Sequence, residues 1–196
     1  MHDTLTYRCE IYRKIIHISS SVMALALWYF GKETFLPWIL GVAIILPILD
    51  YGRHHIDILR RIYNYYFTIF TRPIEYRNLS GASWVVIGAA LTTLIFNENT
   101  AIIGLLVLSL ADSAAAIIGL RFGNTHLFNK SLEGSTAFFI VALLIVFYLS
   151  PVFFLINLIA ISAATAVELF STTARVNDNL LIPIVTASIL TLGGVA

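Results

Sequence analysis

A succession of apolar runs separated by short polar loops occupies nearly all of the chain from residue 15 to residue 192, and no other feature constrains the fold as strongly. The runs cover residues 15–30, 36–49, 81–97, 100–120, 135–149, 152–173 and 180–192. They are continuous, without the short alternating segments of a membrane barrel. Within a bilayer the backbone must satisfy its own hydrogen bonds, which leaves helices as the remaining solution. Composition agrees. Soluble chains average about 45–50% apolar and about 25% charged residues. Here the figures are 59% and 12%. The expected fold is all-α: a polytopic membrane protein of about seven transmembrane helices, forming a single domain over residues 1–196 with no repeat or linker. Several runs fall short of the ~20 residues of an ordinary span, so tilt, re-entry or local thinning belongs to the reading. The single Cys9 excludes an internal disulfide.

Residues 53–72 differ. Ile56, Leu59, Ile62, Tyr63, Tyr66, Phe67 and Phe70 fall on one helical face, and Arg53, Asp57, Arg60, Arg61, Asn64 and Thr68 mostly on the other. This basic, aromatic-rich amphipathic pattern predicts an interfacial helix, ended by Pro73. The adjacent His54 and His55 point to different helix faces, which disfavours a shared metal.

Alternating loops place Arg8, Arg13, Lys14, Arg53, Arg60, Arg61, Arg72, Arg77, Arg121, Lys130 and Arg175 on one side, and only Lys32 on the other. The positive-inside rule then sets the N-terminus in the cytoplasm, together with the loops at 121–134 and 174–179. The basic flank and first apolar run also have the outline of a signal peptide, but the run is long and a second span follows closely.

Three constellations carry chemistry. Glu10, Arg13, Lys14, His17, Ser20 and Ser21 form a stripe running from the interface into the membrane. Arg13 and Lys14 alone would pass as snorkelling topology signals; the whole stripe reads better as the wall of a polar cavity. Asp112 sits inside an apolar run, where a carboxylate costs roughly 2.5 kcal/mol or more on insertion scales. Ala115, Ala116, Gly119 and Gly123 follow it on one helical face, giving either a helix-packing seam or a close approach for a ligand. The loop after it carries Arg121, Lys130, Ser131, Glu133 and Gly134, without the GxxxxGK[ST] of a P-loop. Third, Glu168 lies ten residues before Asp178 in Asn177-Asp178-Asn179, a triplet that equally suits a helix cap. Carboxylates of this kind hold Mg²⁺ together with phosphate oxygens, and a cluster of cations suits a nucleoside triphosphate.

At these residues the chain resembles the CTP-dependent lipid-alcohol kinases: dolichol, phytol and polyprenol kinases and the CTP-using diacylglycerol kinases of fungi. The resemblance rests on ExxRKxxH at residues 10–17, on D-x₆-G-x₃-G…KSLEGS at 112–135, and on the glutamate-bearing span followed by NDNLLIPI at 177–184. The central run is also similar to the CTP-binding segment of phosphatidate cytidylyltransferases, whose HGG…DRxD signature is missing. The resemblance implies transfer of the γ-phosphate of CTP to a lipid hydroxyl, with Mg²⁺ as cofactor. It implies a catalytic set of Arg13, Lys14, His17, Asp112, Lys130 and Asp178. Nucleotide binding falls to Arg13, Lys14, Gly119, Arg121, Gly123, Lys130, Ser131, Glu133, Gly134 and Asn179, and the metal to Asp112, Glu168 and Asp178. Asn177 stands where the family commonly has an aspartate, which moves the metal towards Asp112 and Asp178. Asp178 reads either as a second metal ligand or as a general base. The partners expected are CTP, a lipid alcohol and membrane lipids, with no nucleic acid; a homo-oligomer is left open. The alternatives are a CDP-lipid synthase and a small transporter. The transporter is disfavoured because the opposite halves of the spans hold almost no ionisable groups.

Overall fold

The computed structural model describes residues 2–67, 78–128, 130–171 and 177–195, with side chains from Cys9 onward. Its apolar runs are helices. In chain order they are α1 (His2–Ser19), α2 (Ser21–Phe30), α3 (Lys32–Gly52), α4 (Asp57–Phe67), α5 (Gly81–Ile95) and α6 (Glu98–Leu106). A π-helical turn (Val107–Ala111) leads into α7 (Asp112–Phe122), and α8 (Leu132–Leu149), α9 (Phe154–Phe170) and α10 (Asp178–Leu192) follow. The loop after α7 is a small hairpin, in which β1 (His126–Leu127) pairs antiparallel with β2 (Lys130–Ser131), His126 opposite Ser131. The all-α expectation holds, and the hairpin adds to it.

Among the described residues, three helical stretches are long and apolar enough to cross a membrane: Lys32–Gly52, Glu98–Phe122 and Leu132–Leu149. Helices α5, α9 and α10 are apolar but shorter. The 15 residues of α5 rise about 22 Å, against a hydrocarbon core of roughly 30 Å. Large apolar side chains such as Trp28, Trp38, Tyr148 and Leu155 stand exposed on the outer faces. Such a surface is what a bilayer covers, and the protein is a membrane protein.

Three boundaries differ from expectation. The interfacial helix begins at Asp57 and not at Arg53, which caps the end of α3. The first run is two helices meeting at Ser20. The Ser19 and Ser20 hydroxyls each bond back to a carbonyl in the preceding turn, Ile16 and His17, both at 2.6 Å, and such back-bonding bends helices. Pro37 and Pro47, near the two ends of the second run, both lie inside α3; neighbouring helices allow prolines within membrane helices. The stop expected at Pro73 and the basic residues Arg72, Arg77 and Arg175 lie outside the described residues.

The stretch 98–122 is the axis of the molecule, two thirds buried against 17% for α3 and 28% for α8. One core cluster gathers Val107, Leu108, Ala111 and Ala115 with Phe138, Ala160, Ile182 and Leu190. A second joins Ala24, Leu27, Phe35 and Ile39 to Ala89, Ala101 and Leu105. α10 lies against α5, α6 and α9, and α7 against α8 and α1. A side chain at Gly88 would run into the Asn179 carbonyl, so this glycine lets the first turn of α10 reach α5. The start of α10, the start of α8 and the middle of 98–122 thereby face the same space as α1.

Candidate functional site

Asp112 is the first residue after the π-helical turn, and only 3% of it is exposed. Lys14 from α1 donates to its Oδ2, and Lys14 is itself buried. His17, one turn further along α1, brings Nε2 to 3.2 Å from the same oxygen and to 3.2 Å from the Leu108 carbonyl. Both neighbours of that nitrogen are acceptors, so Nε2 carries the proton. Leu108 lies within the π turn, a distortion of helices frequent at functional sites. The carboxylate inside the apolar run is thus matched by one lysine and one histidine from another helix.

The second cluster stands on the hairpin. Lys130 Nζ lies 2.9 Å from Glu168 Oε1 and 3.4 Å from Asp178 Oδ2. The other oxygen of Glu168 accepts from Ser135 Oγ at 2.8 Å, so this glutamate, 2% exposed, is engaged on both sides. Burial pulls the Lys130 ammonium towards deprotonation, but Asp178, Asp112 and Glu168 outweigh it, and its pKa lies above the ordinary 10.5. Phe128 fixes the hairpin. It adopts φ +57° where the chain leaves β1, and its ring lies 4.9 Å from that of Phe170, two residues beyond Glu168. Asn177 caps α10 by accepting from the Asn179 amide at 3.1 Å, and Asp178 Oδ1 accepts from the same amide at 3.0 Å. Asn177 therefore has its capping role, while Oδ2 of Asp178 still faces Lys130.

Both clusters line one cavity of about 1170 Å³. Of the residues expected at the site, Arg13, Lys14, His17, Asp112, Gly119, Lys130, Ser131, Gly134, Glu168, Asp178 and Asn179 border it. Arg13 is bonded to Glu10 through Nη2 at 2.8 Å and Nε at 3.1 Å. Arg121, Gly123 and Glu133 do not border it. Arg121 is exposed, its guanidinium 5.3 Å from the Phe122 ring. Glu133 accepts from the Thr125 amide at 3.0 Å and braces the hairpin. The glycines serve packing. A Cβ on Gly134 would come to 2.7 Å from the Ala115 carbonyl oxygen, and one on Gly119 to 2.7 Å from Ser131 Oγ. Gly123, closing α7, would meet the Ser131 Cβ at 2.8 Å. The small-residue face is a seam between α7 and α8, which leaves Ser131 free to cap α8 through the Gly134 amide at 3.1 Å.

Two charged residues that border the cavity were not expected there. Asp50, buried at the end of α3, accepts from the Ser80 amide at 2.6 Å and from Ser83 Oγ at 2.7 Å. Arg53 Nε lies 3.0 Å from its Oδ1, and the guanidinium stacks 3.7 Å from the centre of the Tyr63 ring. An aspartate closing an apolar run, with arginine three residues on, was the available signal.

The charge balance decides what can bind. The cavity is bordered by the acids Glu10, Asp50, Asp112, Glu168 and Asp178, against the bases Arg13, Lys14, Arg53 and Lys130. Among the described residues, and counting no charge on the histidines, the acids outnumber the bases by one, which disfavours a bare polyphosphate. Among the described residues no three His, Cys, Asp or Glu side chains form a metal cage.

No protein-family model matches the chain, and no solved structure matches it. Among curated proteins it is 33% identical over 180 residues to the uncharacterized protein RP860 of Rickettsia prowazekii, covering 88% of each chain. It is 31% identical over 188 residues to the uncharacterized protein MJ1137 of Methanocaldococcus jannaschii, covering 92% of each. A 143-residue stretch, 69% of the chain, is 32% identical to CTP-dependent diacylglycerol kinase 1 of Eremothecium gossypii and covers 44% of that kinase.

Proposed function

Because the chain belongs to the family of RP860 and MJ1137 and is similar over 69% of its length to a CTP-dependent diacylglycerol kinase, we propose that it is a membrane kinase transferring the γ-phosphate of CTP to a lipid alcohol. The observation that carries the reading is the convergence of Lys14, Asp112, Lys130 and Asp178, from four separate elements, on one cavity. Phosphoryl transfer needs positioned charge more than covalent chemistry, and this cavity offers it.

The donor set suits Mg²⁺ of the kind that phosphates bring with them. Such an ion takes one or two protein carboxylates and completes its shell with phosphate oxygens and water. Asp112 would be the carboxylate that holds it, and Glu168, engaged by Lys130 and Ser135, orients the lysine. When bound, the ion neutralises phosphate charge, which the acid excess of the cavity demands. Lys14 and Lys130 then turn from their carboxylates towards phosphate oxygens, and Arg13 adds a cation at the mouth. His17, with Nε2–H held between Asp112 and Leu108, keeps the carboxylate in place. The lipid hydroxyl oxygen bonds to the γ-phosphorus as the bond to the β-phosphate oxygen breaks. CDP leaves, and the hydroxyl proton passes to a carboxylate at the mouth, for which Asp178, 27% exposed, is suited. In this reading seven spans carry the site, which opens to the cytoplasm.

The test is incubation of the purified protein with γ-labelled CTP, Mg²⁺ and a panel of diacylglycerol, phytol and polyprenol. A labelled lipid monophosphate and CDP are expected. A CMP-bearing lipid with pyrophosphate would instead make it a cytidylyltransferase, and no product with any alcohol would end the kinase reading.

A further inference from the structure

Half of the cavity is apolar, and phosphoryl transfer does not account for it. Leu59, Ile62, Tyr63 and Phe67 of α4 border it, a stripe at helical spacing. Facing them are Met23 of α2 and Leu46 and Leu49 of α3. Amphipathic helices ordinarily bury such a stripe against the protein core, yet α4 has no buried residue; Ile62 and Phe67 are each 49% exposed. This half continues into the space holding Lys14, Asp112 and Lys130. The volume of about 1170 Å³ also exceeds the ~300–1,000 Å³ of pockets holding one small ligand.

We propose that this apolar half is the acceptor site, where the hydrocarbon chain of the lipid alcohol lies between α4 and the wall formed by α2 and α3, its hydroxyl directed at Lys130 and Asp178. The identity of the head group rests on the kinase reading; the seat of the chain rests on the cavity. A molecule with one small polar end and a long apolar body matches a cavity with one charged end and one apolar end. A nucleotide, polar along its length, does not match the apolar half. Tyr63, stacked on Arg53, ties α4 to α3 where the two halves meet, so α4 forms a side wall that a chain passes on its way from the bilayer.

The experiment pairs kinetics with labelling. Leu59→Trp and Ile62→Trp narrow the apolar half, and Tyr65→Trp, at a position 82% exposed on the same helix and away from the cavity, is the control. Crowding a hydrophobic pocket by a few methylenes' worth shifts substrate use roughly tenfold or more. The KM for the lipid alcohol should rise by that factor in both variants, with the KM for CTP within about twofold of wild type, and the control should not change. Equal effects on both substrates, or none, would overturn the proposal. Independently of turnover, a long-chain alcohol carrying an alkyl diazirine should crosslink to α4 and to Leu46 or Leu49, and unlabelled alcohol should compete where phosphatidylcholine vesicles do not. Labelling confined to other helices, or equal competition by phosphatidylcholine, would likewise refute it. Labelling at α3 and α4 in a protein that phosphorylates no alcohol would retain the site and refute the kinase reading.

Discussion

The pair of Lys14 and Asp112 concentrates the chemistry and the stability problem of this protein in two side chains. Their side chains are 7% and 4% exposed, and removing one partner of a buried pair costs about 3–5 kcal/mol, because the other charge is left without its counterpart. Lys14→Met and Asp112→Leu should each lower the melting temperature in detergent. The double variant should recover most of the loss, and all three should lack kinase activity. Singles that melt like wild type would show that the pair is not the buried anchor described. Lys130 makes a pH prediction. Its folded pKa is raised by Asp178, Asp112 and Glu168, so its contribution is complete below the unfolded lysine value and disappears only as pH rises through the higher folded value. The stability difference between wild type and Lys130→Met should therefore stay level from about pH 7 to about pH 9 and shrink only above about 10.5. A shrinkage near neutral pH, followed by thermal melts across the series, would contradict the carboxylate cage.

At the scale of elements, the seam between α7 and α8 sets where both clusters stand. Gly134 meets backbone, the Ala115 carbonyl, whereas Gly119 meets the Ser131 hydroxyl and nothing lies within 4 Å of a Cβ at Gly41. Gly134→Ala must part the two helices and should destabilise by about 1–3 kcal/mol, as overpacking does. Gly41→Ala should be neutral or stabilise by up to about 1 kcal/mol through helix propensity. Thermal melting of the two variants decides it: equal shifts would mean the seam has slack. Arg121 shows how elements sort residues. It follows Asp112 by nine positions, about 900° of helix, so it points to the opposite face. Helical arithmetic alone therefore turns Arg121 away from the cavity that Asp112 faces, and Arg121 does not border it.

At the scale of the whole molecule, the distribution of basic residues bears on which side of the membrane the charged end of the cavity meets. The Lys and Arg distribution, eleven against one, expects the hairpin in the cytoplasm and the start of α3 outside. With Cys9 replaced by serine, Leu127→Cys should react with an impermeant maleimide in inverted vesicles and not in intact cells, and Glu33→Cys should do the reverse. The opposite pattern would invert the topology and place the site away from cellular CTP. The sequence by itself determined the helical membrane class, the apolar face of α4, and Lys14, His17, Asp112 and Glu168 as polar residues of one cavity. Apolar periodicity and the cost of burying charge in lipid act locally, so they can be read along the chain. Only the tertiary structure decided that Lys14 and His17 close on Asp112, that Glu168 holds Lys130, that Asp50 clamps α3 to the start of α5, and that the glycines near Ser131 serve packing. These facts depend on how α1 crosses α7, how a hairpin folds back onto α9, and how closely two helices approach. Each is a distance between segments far apart in sequence, fixed by packing that no local pattern encodes.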